Sequence, residues 1–264
     1  MLEFNDFNGK CWWCESSDLS REHKYKKSDI KREYFSDQEM QDRVTINLVS
    51  IKDLSEKGKA VQGPNSNAIK FEANLCKNCN NSRSQSFDLA YDKLIESLKL
   101  NESTTLTNPQ IDLFEIYGND WELEKENLVK YFIKNLGCVL TEFNLKVPQI
   151  LINYLDGGIG LPKNLNLFIS QSVDRKNYLD LAQIQTPPAS WVGRSDVQYK
   201  HNNETSTINF FHYELYYRSF SFYIKLDKES KNFSSNFNDS SIDLILYNED
   251  PFEKLYNEMK QNGA

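Results

Sequence analysis

Two short cysteine pairs, Cys11-Trp12-Trp13-Cys14 and Cys76-Lys77-Asn78-Cys79, constrain this chain more than any other feature. Each pair holds two thiols in one tight turn, and zinc takes four soft ligands in a tetrahedron. Cys11, Cys14, Cys76 and Cys79 supply that set, so a structural Zn²⁺ would staple segments separated by 61 residues. A thioredoxin-like redox site needs one CxxC opening a helix after a strand and leaves the second pair unexplained. Disulfides belong to an oxidising compartment. The fifth cysteine, Cys138, lies between Leu136 and Val139 and reads as a core residue.

The chain has 264 residues, 39% hydrophobic and 13% aromatic, enough for one large or two ordinary domains with a sizeable core. Met1-Leu-Glu-Phe-Asn-Asp lacks a charged-then-apolar leader, and no apolar run reaches membrane-spanning length. A cytoplasmic protein with no membrane partner is expected, which also disfavours disulfides. The net charge of −7 argues against a phosphate grip spread over the whole chain. Residues 1–100 carry 16 basic and 16 acidic side chains, and the remainder 15 and 22. A nucleic-acid contact therefore belongs to the first part, and the acidic second half suits a regulatory protein partner.

Periodicity gives an α+β chain in two parts, residues 1–100 and 111–264, with polar residues 101–110 as a linker. Phe4, Phe7, Trp12 and Trp13 offer apolar cover to the first knuckle. Residues 33–66 read as an insertion, Ile46 to Ile51 and Ala68 to Leu75 as the two strands of a hairpin. After Cys79, Phe87, Tyr91, Leu94, Ile95 and Leu98 recur at helical spacing. Leu128, Phe132, Leu136, Val139 and Phe143 trace a second helix. Pro148 opens a short one that Gly157-Gly158 ends. Strands follow at 211–215, 220–226 and 242–247, around a polar loop at 232–241, with a last helix over Phe252–Met259. The second half is an antiparallel-sheet α+β domain.

The order Glu22-His23, then CxxC, then Asn80 directly after the last cysteine resembles the HNH (ββα-metal) endonuclease superfamily in its four-cysteine version. The likeness covers residues 1–100. It implies a ββα-metal unit and a metal-dependent endonuclease hydrolysing phosphodiester bonds, with DNA the first expectation among nucleic acids. Glu22 and Asn80 would hold a divalent cation, Mg²⁺ or Mn²⁺, and His23 would be the general base. Two departures are plain: the commonest form has Asp where Glu22 stands, and the final histidine of the name has no counterpart after Asn80. Ser84 or Asp88 would add an outer contact, and Arg21, Lys24, Lys27 and Arg83 would meet phosphates. Compact members with an added domain resemble anti-phage defence or restriction effectors held in check by a partner.

The alternative is a non-catalytic zinc module that binds nucleic acid or protein. His201 and His212 have no nameable partner and read as structural. The aromatic set Phe211, Tyr213, Tyr217, Phe220 and Phe222 is either a base-stacking platform or sheet core, and its period of two favours core.

Overall fold

The computed structural model describes residues 2–3, 9–34, 46–48, 59–61, 63–158, 160–185, 191–202, 207–230 and 232–248. In chain order these form β1 (Leu2–Glu3), β2 (Leu19–Ser20), α1 (Lys27–Tyr34), β3 (Ile46–Leu48), β4 (Lys59–Val61), β5 (Leu75–Cys76), α2 (Lys77–Asn80) and α3 (Gln85–Asn101). There follow β6 (Gln110–Asp112), α4 (Leu113–Tyr117), α5 (Trp121–Glu142), α6 (Gln149–Leu155), β7 (Leu165–Ser172) and α7 (Val173–Gln185). The last group is β8 (Val192–Arg194), β9 (Gln198–Asn202), β10 (Thr207–Tyr217), β11 (Phe220–Asp227), β12 (Ser234–Ser235), β13 (Ser241–Asp243) and β14 (Ile245–Tyr247). The fold is mixed α+β, as expected. Among the described residues, no helix is long and apolar enough to cross a membrane. The helix expected over Phe252–Met259 and the aromatics Phe4 and Phe7 lie outside the described residues.

The main sheet runs β1-β10-β11-β7, antiparallel throughout, with β12 and β14 pairing parallel to β7 along its other edge. Alternation in β10 and β11 sends Phe211, Tyr213, Tyr217, Phe220 and Phe222 to one face, where all are fully buried. That face packs on α3 and α5: the Phe222 ring lies 5.4 Å from Phe132 and 5.9 Å from Tyr91. These aromatics are sheet core, so no base can stack on them.

One hydrophobic core joins the two parts that the sequence suggested. Leu2 of β1 pairs with Ile208 of β10, and Trp12 lies against Gly137 of α5. The stretch read as a linker is tied down as well. Glu102 is 4% exposed, and Arg218 and Ser219 at the β10–β11 turn both donate to its carboxylate. A polar composition there reflects a buried ion pair rather than a free connection.

The hairpin differs from expectation. Ile46–Leu48 pairs with Lys59–Val61, not with residues 68–75. Leu75–Cys76 instead pairs antiparallel with Leu19–Ser20. The two chains stay opposed further on, with Phe71 N–H donating to Glu22 O at 2.9 Å and Lys24 N–H to Ile69 O at 2.8 Å. Residues 67–69 form a 3₁₀ turn that Ser66 caps, so the alternation in 68–75 belongs to no continuous strand.

Candidate metal centre and adjoining polar cluster

The cysteine site assembles at the end of the β2–β5 pair. Cys76 caps α2, its sulfur accepting the Cys79 N–H at 3.4 Å, and this places Cys79 one turn on. The first knuckle turns through Glu15 at φ 61°, with Glu15 N–H donating to Cys11 O at 2.9 Å. Trp12 N–H donates to Asn74 O at 3.1 Å, which brings the knuckles together. All four sulfurs lie within 4.8 Å of one another, and Cys14 and Cys76 are 3.5 Å apart. Zinc–sulfur bonds of about 2.3 Å give a tetrahedron with edges of about 3.8 Å, so the donor set fits zinc. Burial raises the Cys76 thiol, but the Cys79 amide and the neighbouring sulfurs outweigh it and draw it down to about 7.

Aromatic and cationic side chains cover the knuckle. Trp12 and Trp13 stack, Trp13 stacks on Phe87, and the Arg83 guanidinium lies 4.4 Å above the Trp13 ring. Arg83 also approaches the Cys79 sulfur at 3.8 Å and pairs with Asp156, which accepts from Trp13 Nε1 at 2.6 Å. Arg83, expected on a phosphate, is thus spent on the metal centre and on Asp156.

Beside this centre lies a second, polar group. Glu22 follows β2 by two residues, and its carboxylate is 3.5 Å from Lys134 Nζ. That ammonium is almost wholly buried. It reaches Ser84 Oγ at 3.2 Å and Asp88 Oδ2 at 3.1 Å, and Lys26 Nζ lies 2.6 Å from Asp88 Oδ1. Burial raises the Glu22 carboxyl and Lys134 opposes it; for Asp88 the same burial is outweighed by Lys134 and Lys26, which hold it low. Glu22 and Asp88 in turn outweigh burial at Lys134 and keep it an ammonium. Asn80 joins through its amide, Nδ2 donating to Ser20 Oγ at 3.1 Å, and through its backbone carbonyl, which accepts from Ser84 Oγ. Its Oδ1 is buried with no hydrogen-bond partner.

His23 takes partners other than those of Glu22. It forms a bridge opposite Lys70, and its Nε2 lies 3.0 Å from Pro64 O. No hydrogen bond or ion pair joins it to Glu22 or Asn80. Since a carbonyl only accepts, Nε2 carries the proton and Nδ1 keeps a lone pair. Burial lowers its pKa first; the Pro64 contact opposes, and Lys70, Lys27 and Lys26 push it further down. The ring is therefore neutral at pH 7.

The remaining expected phosphate contacts divide. Lys24 pairs with Glu142, which also takes Arg194, and Arg21 pairs with Glu72 at 3.2 Å at the surface. Lys27 has no ion-pair partner among the described residues. His212 stacks on Tyr223 at 4.2 Å on the half-buried sheet face, opposite Phe211 and Tyr213, and His201 pairs in the β9–β10 ladder. Lys134 escaped notice in the sequence. The available signal was a lysine inside an apolar helix, for every residue from Tyr131 to Leu140 is buried. No protein-family model, curated protein or solved structure matches the chain.

Proposed function

We propose that the chain is a metal-dependent endonuclease of the HNH type, acting on nucleic acid. The observation that carries the reading is the buried, unpartnered Asn80 Oδ1 directly after a four-cysteine centre, on a residue whose backbone carbonyl is linked through Ser84 and Lys134 to Glu22. The antiparallel β2–β5 pair leading into α3 supports it. Glu22 and Asn80 would hold Mg²⁺ or Mn²⁺, which when bound stabilises negative charge on the phosphate and the leaving oxygen. His23 takes a proton from the attacking water at Nδ1. Its Nε2–H bond to Pro64 O fixes that tautomer and orients the ring. A neutral imidazole is the form a general base needs.

The test is cleavage of plasmid and single-stranded DNA by purified protein with Mg²⁺, Mn²⁺ or chelator, beside His23→Ala. Metal-dependent cutting, lost in His23→Ala at unchanged zinc content, is the expected result. Equal cutting by both proteins refutes the assignment of the base.

One set of contacts favours a second reading, a zinc-stapled binding module without catalysis. Lys134 already supplies a positive charge to Glu22 and Asp88, and His23 touches neither Glu22 nor Asn80. On that reading the wild type binds nucleic acid and cuts none under any metal.

A further inference from the structure

The cations near His23 fall into two classes. Lys24 is spent on Glu142, Lys26 on Asp88, and Arg32 on Asp29 and Glu96. Lys27 and Lys70 are different: neither has a carboxylate within ion-pair distance among the described residues, although both are half-buried. Lys70 stands directly opposite His23 in the bridge, so their side chains leave the same side of the ladder with Cβ atoms about 5 Å apart. Lys27 opens α1 four residues after His23, on the segment that leaves the bridge. Lys31, one turn along α1 from Lys27, is exposed and equally unpaired among the described residues.

Partly desolvated ammoniums beside one another repel and lose hydration, and a protein ordinarily answers with a carboxylate. Here the acidic residues of α1, Asp29 and Glu33, turn inward to Tyr91, Tyr217 and Arg218. The charge on the His23 side stays uncompensated among the described residues, in a protein whose net charge is −7. We propose that Lys27 and Lys70 form a phosphate-binding pair flanking His23, with Lys31 extending it, and that they hold the nucleic-acid backbone against the base. This rests on the nuclease reading and adds its substrate contacts. Lys70 replaces Lys24 and Arg83 in that role.

The test is binding, not cutting, and uses the full zinc-loaded chain without added divalent cation. A fluorescein-labelled 20-base-pair random duplex and its single strand are titrated at several salt concentrations. Each phosphate contact contributes about 0.9 to the slope of log K against log salt on duplex and about 0.7 on a single strand. Lys27→Gln/Lys70→Gln should therefore flatten the slope by about 1.8 or about 1.4, respectively. Lys27→Arg/Lys70→Arg should keep it, and Lys163→Gln, with a charge change at an exposed site elsewhere, should leave it unmoved. Should the double variant not fold, Lys70→Gln alone should remove about one contact. An unchanged slope in the Gln variants overturns the pair while leaving the nuclease reading intact. No binding to either probe by the wild type overturns both.

Discussion

Gly137→Ala tests the packing that ties the first cysteine knuckle to α5. Glycine inside a helix costs about 1 kcal/mol relative to alanine, so propensity alone says the substitution stabilises. The structure reverses the sign. A Cβ at position 137 would stand 2.5 Å from Trp12 Cζ2 and 2.6 Å from Cη2. Carbon contacts relax at about 3.5–4.0 Å, so the indole must retreat by about 1 Å. Trp12 is only 8% exposed and is stacked on Trp13, and the Cys11 beside it is a proposed zinc ligand, so the ring cannot retreat without moving the knuckle. Overpacking of this kind costs up to about 3 kcal/mol, leaving about 2 kcal/mol of net destabilisation after the helix gain. For a chain of this length that lowers Tm by about 4–8 °C. Calorimetry, with zinc measured by a chromogenic chelator during the melt, should show earlier unfolding and faster zinc release. Trp12→Leu in the Gly137→Ala background should recover part of the loss. A Gly137→Ala protein that melts at or above the wild type refutes the argument, because propensity would then have decided the outcome.

Two further outcomes follow from the buried charges. Lys134→Met leaves the Glu22 carboxylate without its buried counter-ion and the Asp88 carboxylate with Lys26 alone, and should cost about 3 kcal/mol in urea unfolding, with Glu22→Gln in that background restoring part. A loss below about 1 kcal/mol would mean that water compensates them instead. Asp29, 2% exposed against Arg32 and Tyr91, has its carboxyl pushed up to about 7 by burial. The folded state then holds that proton to higher pH than the unfolded chain, whose aspartate titrates near 3.9. Its stabilising effect is full below about pH 4 and is lost as pH rises through about 7. Wild type should therefore weaken relative to Asp29→Asn between pH 4.5 and 8, by up to about 4 kcal/mol on this shift. A difference that stays constant over that range contradicts the assignment.

Local signals carried much of this molecule. The CxxC spacing picked out the four cysteines that cluster closely enough to hold a metal ion, because each turn places two thiols irrespective of what surrounds it. Helical and twofold periodicity located α3, α5, β10 and β11, since burial of one face imposes those periods. Pro148 and Gly157 marked α6 through backbone preferences of their own. Glu22, Asn80 and His23 stood out by order in the chain, and Glu22 and the Asn80 backbone carbonyl are linked only through Lys134 and Ser84. Their directions were not legible: that His23 turns to Pro64 depends on which chain lies opposite residue 23. The same dependence misplaced the hairpin, because residues 68–75 find their partner in residues 19–24, far back along the chain.

Charge was the property least readable from sequence. Lys24, Arg83 and Lys27 look equivalent as basic residues near the motif. The fold brings Glu142 to the first and Asp156 to the second, from α5 and the end of α6, and among the described residues brings no acid to the third. Lys134 meets Glu22 and Asp88 from more than forty residues away along the chain. Composition and spacing thus determine which groups the protein possesses and how its helices and strands begin. Which cations are neutralised, which carbonyl is left without a donor, and whether two halves share one core depend on contacts between distant residues. Only the tertiary structure decides those, because Coulomb and hydrogen-bond energies act over a few ångströms of space rather than along the sequence.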